Sequence, residues 1–181
     1  TPPEDTGIYA LAAKLAQAAT LSYSAVISVF SARAASLYKR QEPENLKALY
    51  IKMQRYMVAG AVLSSLTLLI FLPFIRDYLG PGYQGITGLV WLLLAGHVLN
   101  AIWGPSASLL VMTNFERSLM KITTSSLALN IFLNSMLIPH FGGTGAAIAT
   151  LISLNLRNGI ALIRAIQFRL FTNSKELESY V

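Results

Sequence analysis

Residues 122–156 read ITTSSLALNIFLNSMLIPHFGGTGAAIATLISLNL and contain no Lys, Arg, Asp or Glu. Three further stretches, residues 15–32, 56–75 and 78–115, also lack charged side chains. A soluble domain does not hold so much uncharged sequence, whereas a bilayer core about 30 Å thick requires roughly 20 apolar residues for each crossing helix. The chain is therefore predicted to be an integral membrane protein.

Composition supports this class independently of run length. The chain is 54% hydrophobic and 12% charged, against roughly 25% charged in soluble domains, and its mean hydropathy is +0.54. A net charge of +6 would suggest nucleic acid in a soluble protein, but membrane proteins carry such an excess on their cytoplasmic loops. No nucleic-acid partner is predicted.

The cysteine count and the first residues give two further expectations about the protein. It contains no Cys, which excludes disulfides and thiolate metal sites. It begins at Thr1 rather than Met and shows no signal-peptide pattern. We expect it to be a fragment of a longer protein.

Gly and Pro residues divide the apolar sequence into five predicted spans. Breaks are expected at Pro43, at the Gly80-Pro81-Gly82 turn, and at Pro139 followed by Gly142-Gly143. The third span should also kink at Gly104-Pro105, because proline cannot donate to the helix ladder. The predicted fold is an all-α polytopic bundle with spans at residues 7–33, 56–75, 86–112, 117–138 and 144–168 and a cytoplasmic tail at 169–181.

The distribution of basic residues tests this assignment. Alternating spans place the first loop, the third loop and the tail on one side, and most of the basic residues fall there. They are Arg33, Lys39, Arg40, Lys47, Lys52, Arg55, Arg117, Lys121, Arg164, Arg169 and Lys175. The positive-inside rule then predicts an external amino end and a cytoplasmic carboxyl tail.

Two cations, Lys14 and Arg157, lie inside predicted spans. At 1.5 Å per residue they sit roughly 10 Å and 19 Å from the ends of their helices. A charge near the bilayer centre costs about 3 kcal/mol even on lenient scales, so it should face protein or water. Lys14 could snorkel to the headgroups, and Arg157 could form an internal hydrogen-bonded clasp. The functional alternative is that both line a polar cavity for an anionic ligand, since no span contains an acidic residue.

Polar residues recur at helical spacing in three spans. The stripes are Lys14, Gln17, Ser24, Ser28 and Ser31 in the first span, His97, Asn100, Gly104 and Ser108 in the third, and Ser126, Asn130 and Asn134 in the fourth. One polar face per helix is typical of a bundle around a wet cavity. The alternative is hydrogen bonding between helices, which is common for Ser and Asn in membranes.

The predicted substrate cavity collects seven of these side chains: Lys14, Gln17, His97, Asn100, Asn130, Asn134 and Arg157. His97 could carry a proton, although a single buried His is more often a packing residue. Gly145, Ala149 and Ser153 predict a seam of small residues for close helix approach. The sequence holds no phosphate-binding loop, dinucleotide fingerprint or HExxH motif, and no paired carboxylates within the spans. No catalytic residue, metal site or cofactor is predicted, and the chain is not expected to be an enzyme.

Residues 130–150, NIFLNSMLIPHFGGTGAAIAT, resemble the "N…LN..LIP.FG..GAAIAT" motif of polysaccharide-biosynthesis flippases. These are O-antigen-type transporters of lipid-linked oligosaccharides in the multidrug/oligosaccharidyl-lipid/polysaccharide exporter superfamily. Two shorter segments, residues 7–12 (GIYALA) and 79–83 (LGPGY), are also similar to that family. The resemblance covers nearly the whole chain.

The resemblance implies a transporter of twelve or fourteen helices in two lobes around a central cavity. This chain would be the C-terminal lobe without its first helix, in a bacterial or archaeal inner membrane. The implied substrate is an undecaprenyl-diphosphate-linked sugar unit of lipopolysaccharide or exopolysaccharide, flipped by alternating access through a cationic cavity. Lys14 and Arg157 would then attract the diphosphate. The implied partners are the N-terminal lobe, the lipid bilayer and, as a further option, the polysaccharide polymerase machinery.

Two alternatives to this flippase stay open. One is a multidrug or lipid-precursor exporter of the same superfamily, although a cation-drug exporter would be expected to carry carboxylates within its spans. The other is a scaffold subunit of a polysaccharide-synthesis complex that transports nothing. A scaffold predicts polar stripes turned into helix contacts and no continuous cavity.

Overall fold

The computed structural model of the protein describes residues 3–168 and 170–171, without the side chains of residues 3–6 and 22. Throughout this part of the chain the secondary structure is helical, and no strand occurs in it. The helices are α1 (Pro3–Ala19), α2 (Leu21–Lys39), α3 (Pro43–Leu79), α4 (Ile86–Ile102), α5 (Ser106–Met112) and α6 (Glu116–Gln167), with a 3₁₀ turn at Pro81–Tyr83 between α3 and α4. The prediction of an all-α chain is confirmed.

The helices have the length and composition expected of membrane spans. On these criteria α3 and α6 could each cross a bilayer. Two further pairs qualify if each bent pair is one span: α1 with α2, bent by 48°, and α4 with α5, bent by 43°. The described residues therefore provide two to four candidate spans, as a membrane-embedded helical bundle requires.

The outward surface of α3 consists largely of big apolar side chains. Leu63 is 68% exposed, Ile70 66% and Phe74 71%. Similar exposed residues recur on α4 and α6, where they include Trp91, Leu127, Ile131, Phe132 and Ile163. An apolar surface of this extent marks a membrane or protein contact in a folded chain, and it agrees with helices that face lipid.

Helix α6 is a hairpin of two limbs, because its backbone leaves the helical region at Gly142 (φ 54°, ψ −133°). The Ser126 hydroxyl, in the limb before Gly142, donates to the Ser153 carbonyl oxygen at 2.7 Å, in the limb after it. We call residues 116–141 the first limb and residues 143–167 the second limb. The turn predicted at Gly142-Gly143 is confirmed.

The two limbs approach closely along a seam of small residues. A Cβ atom added at Gly145 would lie 2.5 Å from the Leu137 carbonyl oxygen. Gly145, Ala149 and Ser153 are all buried. The predicted small-residue seam is thus present on the second limb, and its first member packs against the first limb.

Three chain segments meet at one end of the bundle: the first loop, the third loop and the end of α6. We call this the basic end, because most of the basic residues lie in these segments. Phe115, just before α6, stacks on Phe168, just after it, with ring centroids 4.1 Å apart. Tyr50 of α3 contacts Phe171 with centroids 5.3 Å apart. The core at this end also includes Phe30, Leu46, Leu110, Ile122 and Ala165. The first loop, the third loop and the end of α6 therefore lie together, as the charge pattern requires.

The boundaries of several spans differ from the predictions. The first span breaks at Thr20 instead of running unbroken from Gly7 to Arg33. The first limb continues to Phe141, three residues past its predicted end, because one proline at 139 removes a single donor while the reversal needs the positive φ of Gly142. Helix α3 runs without interruption from residues assigned to the first loop, which include Lys47 and Arg55, through the predicted span at 56–75. The predicted tail, residues 169–181, lies outside the described residues apart from Leu170 and Phe171.

Candidate functional site

The break between α4 and α5 is the predicted kink at Gly104-Pro105. Gly104 has φ +58°, and Pro105 follows it. A broken helix frees carbonyl groups that need partners inside a membrane. Here the partners come from α3, since the Tyr50 hydroxyl donates to the Trp103 carbonyl and the Gln54 amide donates to the Ile102 carbonyl. The kink is confirmed, and its backbone is hydrogen-bonded.

Asparagine side chains join this break to the second limb of α6. Asn158 Nδ2 donates to Asn100 Oδ1 at 2.7 Å, and Ser106 Oγ donates to the Asn158 carbonyl at 2.9 Å. Trp103 Nε1 donates to Asn155 Oδ1 at 3.0 Å. Asn100, a predicted cavity residue, is therefore part of a contact between helices.

Other predicted polar positions also bond within the bundle. The hydroxyls of Ser31 and Ser108 lie 2.6 Å apart, joining α2 to α5. Asn134 Nδ2 donates to Asn130 Oδ1 at 2.9 Å within the first limb. His97 is half-buried, and its backbone carbonyl oxygen accepts a hydrogen bond from the Tyr23 hydroxyl at 2.7 Å. These polar side chains thus make the hydrogen bonds between and along helices that were the alternative to a wet cavity.

Lys14 and Gln17 lie on an exposed face that runs along α1 and continues on α2. Ser24 and Ser28 are exposed on the same face, and the Ser28 hydroxyl donates to the Ser24 carbonyl at 2.9 Å. We call these four residues the α1–α2 polar face. Its exposed neighbours include the small residues Ala10, Ala18, Ala25 and Ala32. Two large apolar side chains, Leu21 and Val29, are exposed beside it, at 71% and 48%.

Arg157 lies in a depression of about 250 Å³ between the two limbs of α6. Its Nε atom donates to Thr123 Oγ1 at 3.0 Å, which ties the second limb to the first. Two more cations line the same depression, Lys121 from the first limb and Arg164 from the second. We call it the α6 cleft; its full lining is Lys121, Ile122, Ser125, Ser126, Leu129, Leu156, Arg157, Ile160 and Arg164.

The cations that accompany Arg157 in the structure are not the one predicted from the sequence. Lys14 is not among the residues that line the α6 cleft. His97, Asn100, Asn130, Asn134 and Gln17 do not line it either. Lys121 and Arg164, which the sequence assigned only to a loop and a tail, are the residues that accompany Arg157. A hairpin that turns at Gly142 pairs positions near 121 with positions near 164. This pairing could have been used to predict that Lys121 and Arg164 lie near Arg157.

The cations of the α6 cleft are not neutralised by acidic side chains among the described residues. In residues 3–168 and 170–171, leaving aside the side chains of 3–6 and 22, the one ion pair joins Arg76 to Asp77 at 3.0 Å. The same part of the chain contains no cluster of His, Asp or Glu that could hold a metal ion.

No protein-family model, curated protein or solved structure matches the chain significantly.

Proposed function

We propose that the chain is part of a membrane transporter that moves an amphiphile with an anionic head group across the bilayer. The proposed type is the lipid-linked oligosaccharide flippase that residues 130–150 resemble, in a bacterial or archaeal inner membrane. Five crossings result if the pair α1–α2, helix α3, the pair α4–α5 and each limb of α6 span once. In this proposal a second lobe faces α1 and α2.

The observation that carries the proposal is the contrast between two exposed faces. Helix α3 presents Leu63, Ile70 and Phe74 outward, as a helix in lipid does. The α1–α2 polar face instead presents a cation, an amide and hydroxyls among alanines. Lipid does not solvate such a surface, so water or another part of the protein is its expected neighbour.

Lys14 is the proposed contact for the head group. It is exposed on α1, and no ion pair to it occurs among the described residues. A diphosphate carries the opposite charge, and Gln17 one turn away offers an amide donor. In the proposed cycle the surface is open first to one side of the membrane and then to the other.

A scaffold subunit that transports nothing is the second candidate, and the hydrogen bonds inside the bundle favour it. The Asn100–Asn158 and Ser31–Ser108 contacts turn polar residues toward neighbouring helices, as that hypothesis predicts. The α1–α2 polar face is the region where the two hypotheses differ. In a scaffold it packs against protein, and in a transporter it meets water.

The charge at Lys14 provides the first test. Lys14→Gln is introduced into the full-length protein, with Lys47→Gln on α3 as a matched control that removes the same charge. Both proteins are reconstituted in vesicles, and flipping of a labelled undecaprenyl-diphosphate oligosaccharide is measured. We expect Lys14→Gln to lower the rate by about tenfold, equivalent to losing about 1.4 kcal/mol of head-group attraction. A rate equal to that of the control overturns the role of Lys14.

Cysteine labelling separates the transporter from the scaffold. The chain has no native Cys, so single cysteines at Gln17, Ser24 and Ser28 can be compared with cysteines at Ile70 and Phe74, which are exposed on α3. In native membranes a charged, water-soluble maleimide should label the first set and leave the second unlabelled. If the first set also stays unlabelled, the face is packed against protein and the scaffold is preferred.

A further inference from the structure

We propose that the α6 cleft binds a phosphate ester, with the headgroup of an anionic lipid as the favoured source. The inference does not depend on the proposed transport function. The α6 hairpin alone lines the cleft, and Lys14 is not part of it. A protein that flips nothing could still hold a lipid there.

Charge is the first argument. Lys121, Arg157 and Arg164 converge on one depression of about 250 Å³, and its lining contains no acidic residue. Arg157 and Arg164 are seven residues apart, which places them on the same side of the second limb. A bound anion would offset the repulsion among three like charges that line one depression. A phosphate ester supplies the charge and several acceptor oxygens at once.

The orientation of Arg157 is the second argument. Its bond to Thr123 uses Nε, so the guanidinium plane is fixed by a residue of the opposite limb. The two terminal nitrogens of a guanidinium form the fork that binds phosphate oxygens in pairs. Ser125, which also lines the cleft, provides a hydroxyl donor.

The shape of the lining favours a lipid over a soluble phosphate. Ile122, Leu129, Leu156 and Ile160 form an apolar wall beside the cations. Leu127 and Ile131 of the same limb are exposed outside the cleft. A soluble phosphate does not cover such a wall, whereas a lipid can lay an acyl chain on it while its headgroup meets the cations. Lys121 and Arg164 are the two cleft cations nearer the basic end, where a headgroup at the membrane surface would lie.

The test compares two triple variants of the full-length protein with equal changes in charge. The cleft variant is Lys121→Gln, Arg157→Gln, Arg164→Gln, and the control is Arg33→Gln, Lys47→Gln, Lys52→Gln, whose sites are exposed and lie outside the cleft. Each protein is purified in detergent and titrated with phosphatidylglycerol or with zwitterionic phosphatidylcholine, and bound lipid is counted by native mass spectrometry. We expect the cleft variant to bind phosphatidylglycerol about tenfold more weakly, while the control stays within about twofold of the native protein.

A second arm distinguishes the source of the phosphate. Soluble glycerol 3-phosphate is added as a competitor at millimolar concentration. If it displaces phosphatidylglycerol from the native protein but not from the cleft variant, the cleft takes phosphate esters from solution as well. If it does not compete, the cleft is specific for lipid. Either result supports the site, provided that binding is lost in the cleft variant.

A single substitution keeps the test valid if the triple variant fails to fold. Arg157→Lys retains the charge but loses the planar fork, and it should weaken phosphatidylglycerol binding in a protein that still unfolds cooperatively. Three results overturn the proposal: equal loss in the cleft and control variants, equal binding of the two lipids by the native protein, or full binding by folded cleft variants. The flipping assay with Lys14→Gln is separate, so either proposal can fail alone.

Discussion

Gly145 sets the distance between the limbs of α6. The Leu137 carbonyl oxygen and carbonyl carbon would lie 2.5 and 2.6 Å from a Cβ atom at this position. Both atoms belong to backbone, which cannot rotate away as a side chain can. The limbs must therefore separate to admit even one methyl group.

We predict that Gly145→Ala destabilises the protein by about 1–3 kcal/mol, the usual cost of overpacking. The measurement is thermal unfolding of the purified full-length protein. Gly88→Ala on α4 is the matched control, because a Cβ there meets nothing within 4 Å. Alanine is the better helix former, so the control should be neutral or slightly stabilising. An unchanged melting temperature in Gly145→Ala would show that the limbs are not closely packed.

Single residues also show what local sequence can predict. The breaks at Gly104-Pro105 and Gly142-Gly143 could be predicted because glycine and proline act on the backbone of their own segment. The break at Thr20 could not, since its surroundings contain neither residue. It is accompanied by a contact from another helix. The Ser64 hydroxyl of α3 lies 2.9 Å from the Ala19 carbonyl oxygen and 2.7 Å from the Gly60 carbonyl oxygen of its own helix, and it can donate its one proton to either.

At the scale of elements, α3 acts as the hydrogen-bonding partner of both broken spans. Ser64 lies within hydrogen-bond distance of the α1–α2 break, and Tyr50 and Gln54 donate to the α4–α5 break. Uninterrupted helicity over Pro43–Leu79 is what allows one element to reach both. Tyr50 and Gln54 were assigned to the loop before the span at 56–75, so this role of α3 was not predicted.

We predict that Tyr50→Phe and Gln54→Leu each destabilise the bundle by about 1–3 kcal/mol, because each leaves a carbonyl of the α4–α5 break without its donor. Chemical unfolding in mixed micelles is the measurement. Tyr78→Phe serves as the control, since Tyr78 is 92% exposed. Stability equal to that of the control would mean that water, not α3, satisfies these carbonyls.

The α6 cleft, a feature at the scale of one element, could be predicted from the sequence only in part. Arg157 was recognised because a cation within an apolar run is unusual. Lys121 was not connected with it, because 36 positions of chain separate the two residues and only the register of the hairpin joins them. Asn100 was assigned to a cavity for its polarity, whereas its partner Asn158 places it between helices.

For the whole molecule, the charges and the packing agree on which segments share an end. The predicted alternation put the first loop, the third loop and the tail on one side, and the Phe115–Phe168 and Tyr50–Phe171 contacts bring these segments together. The membrane-protein class and the helical character could be predicted from composition and from the long uncharged runs of sequence. The cytoplasmic location of the basic end stays a prediction of the positive-inside rule.

Labelling from one side of the membrane tests that orientation. Cysteines are placed at Gly82, in the turn after α3, and at Lys47, near the start of α3. In intact cells an impermeant thiol reagent should label position 82, whereas position 47 should require permeabilised membranes. The reverse pattern would invert the topology, and labelling of both in intact cells would contradict a crossing by α3.

The α4–α5 break has a consequence for biogenesis. Its two hydrogen-bond donors, Tyr50 and Gln54, precede it in the chain. A ribosome therefore delivers α3 before the broken span emerges, so the span enters a membrane where its donors are already in place. A chain truncated after Met112 and released into the membrane should thus be able to complete this contact without α6.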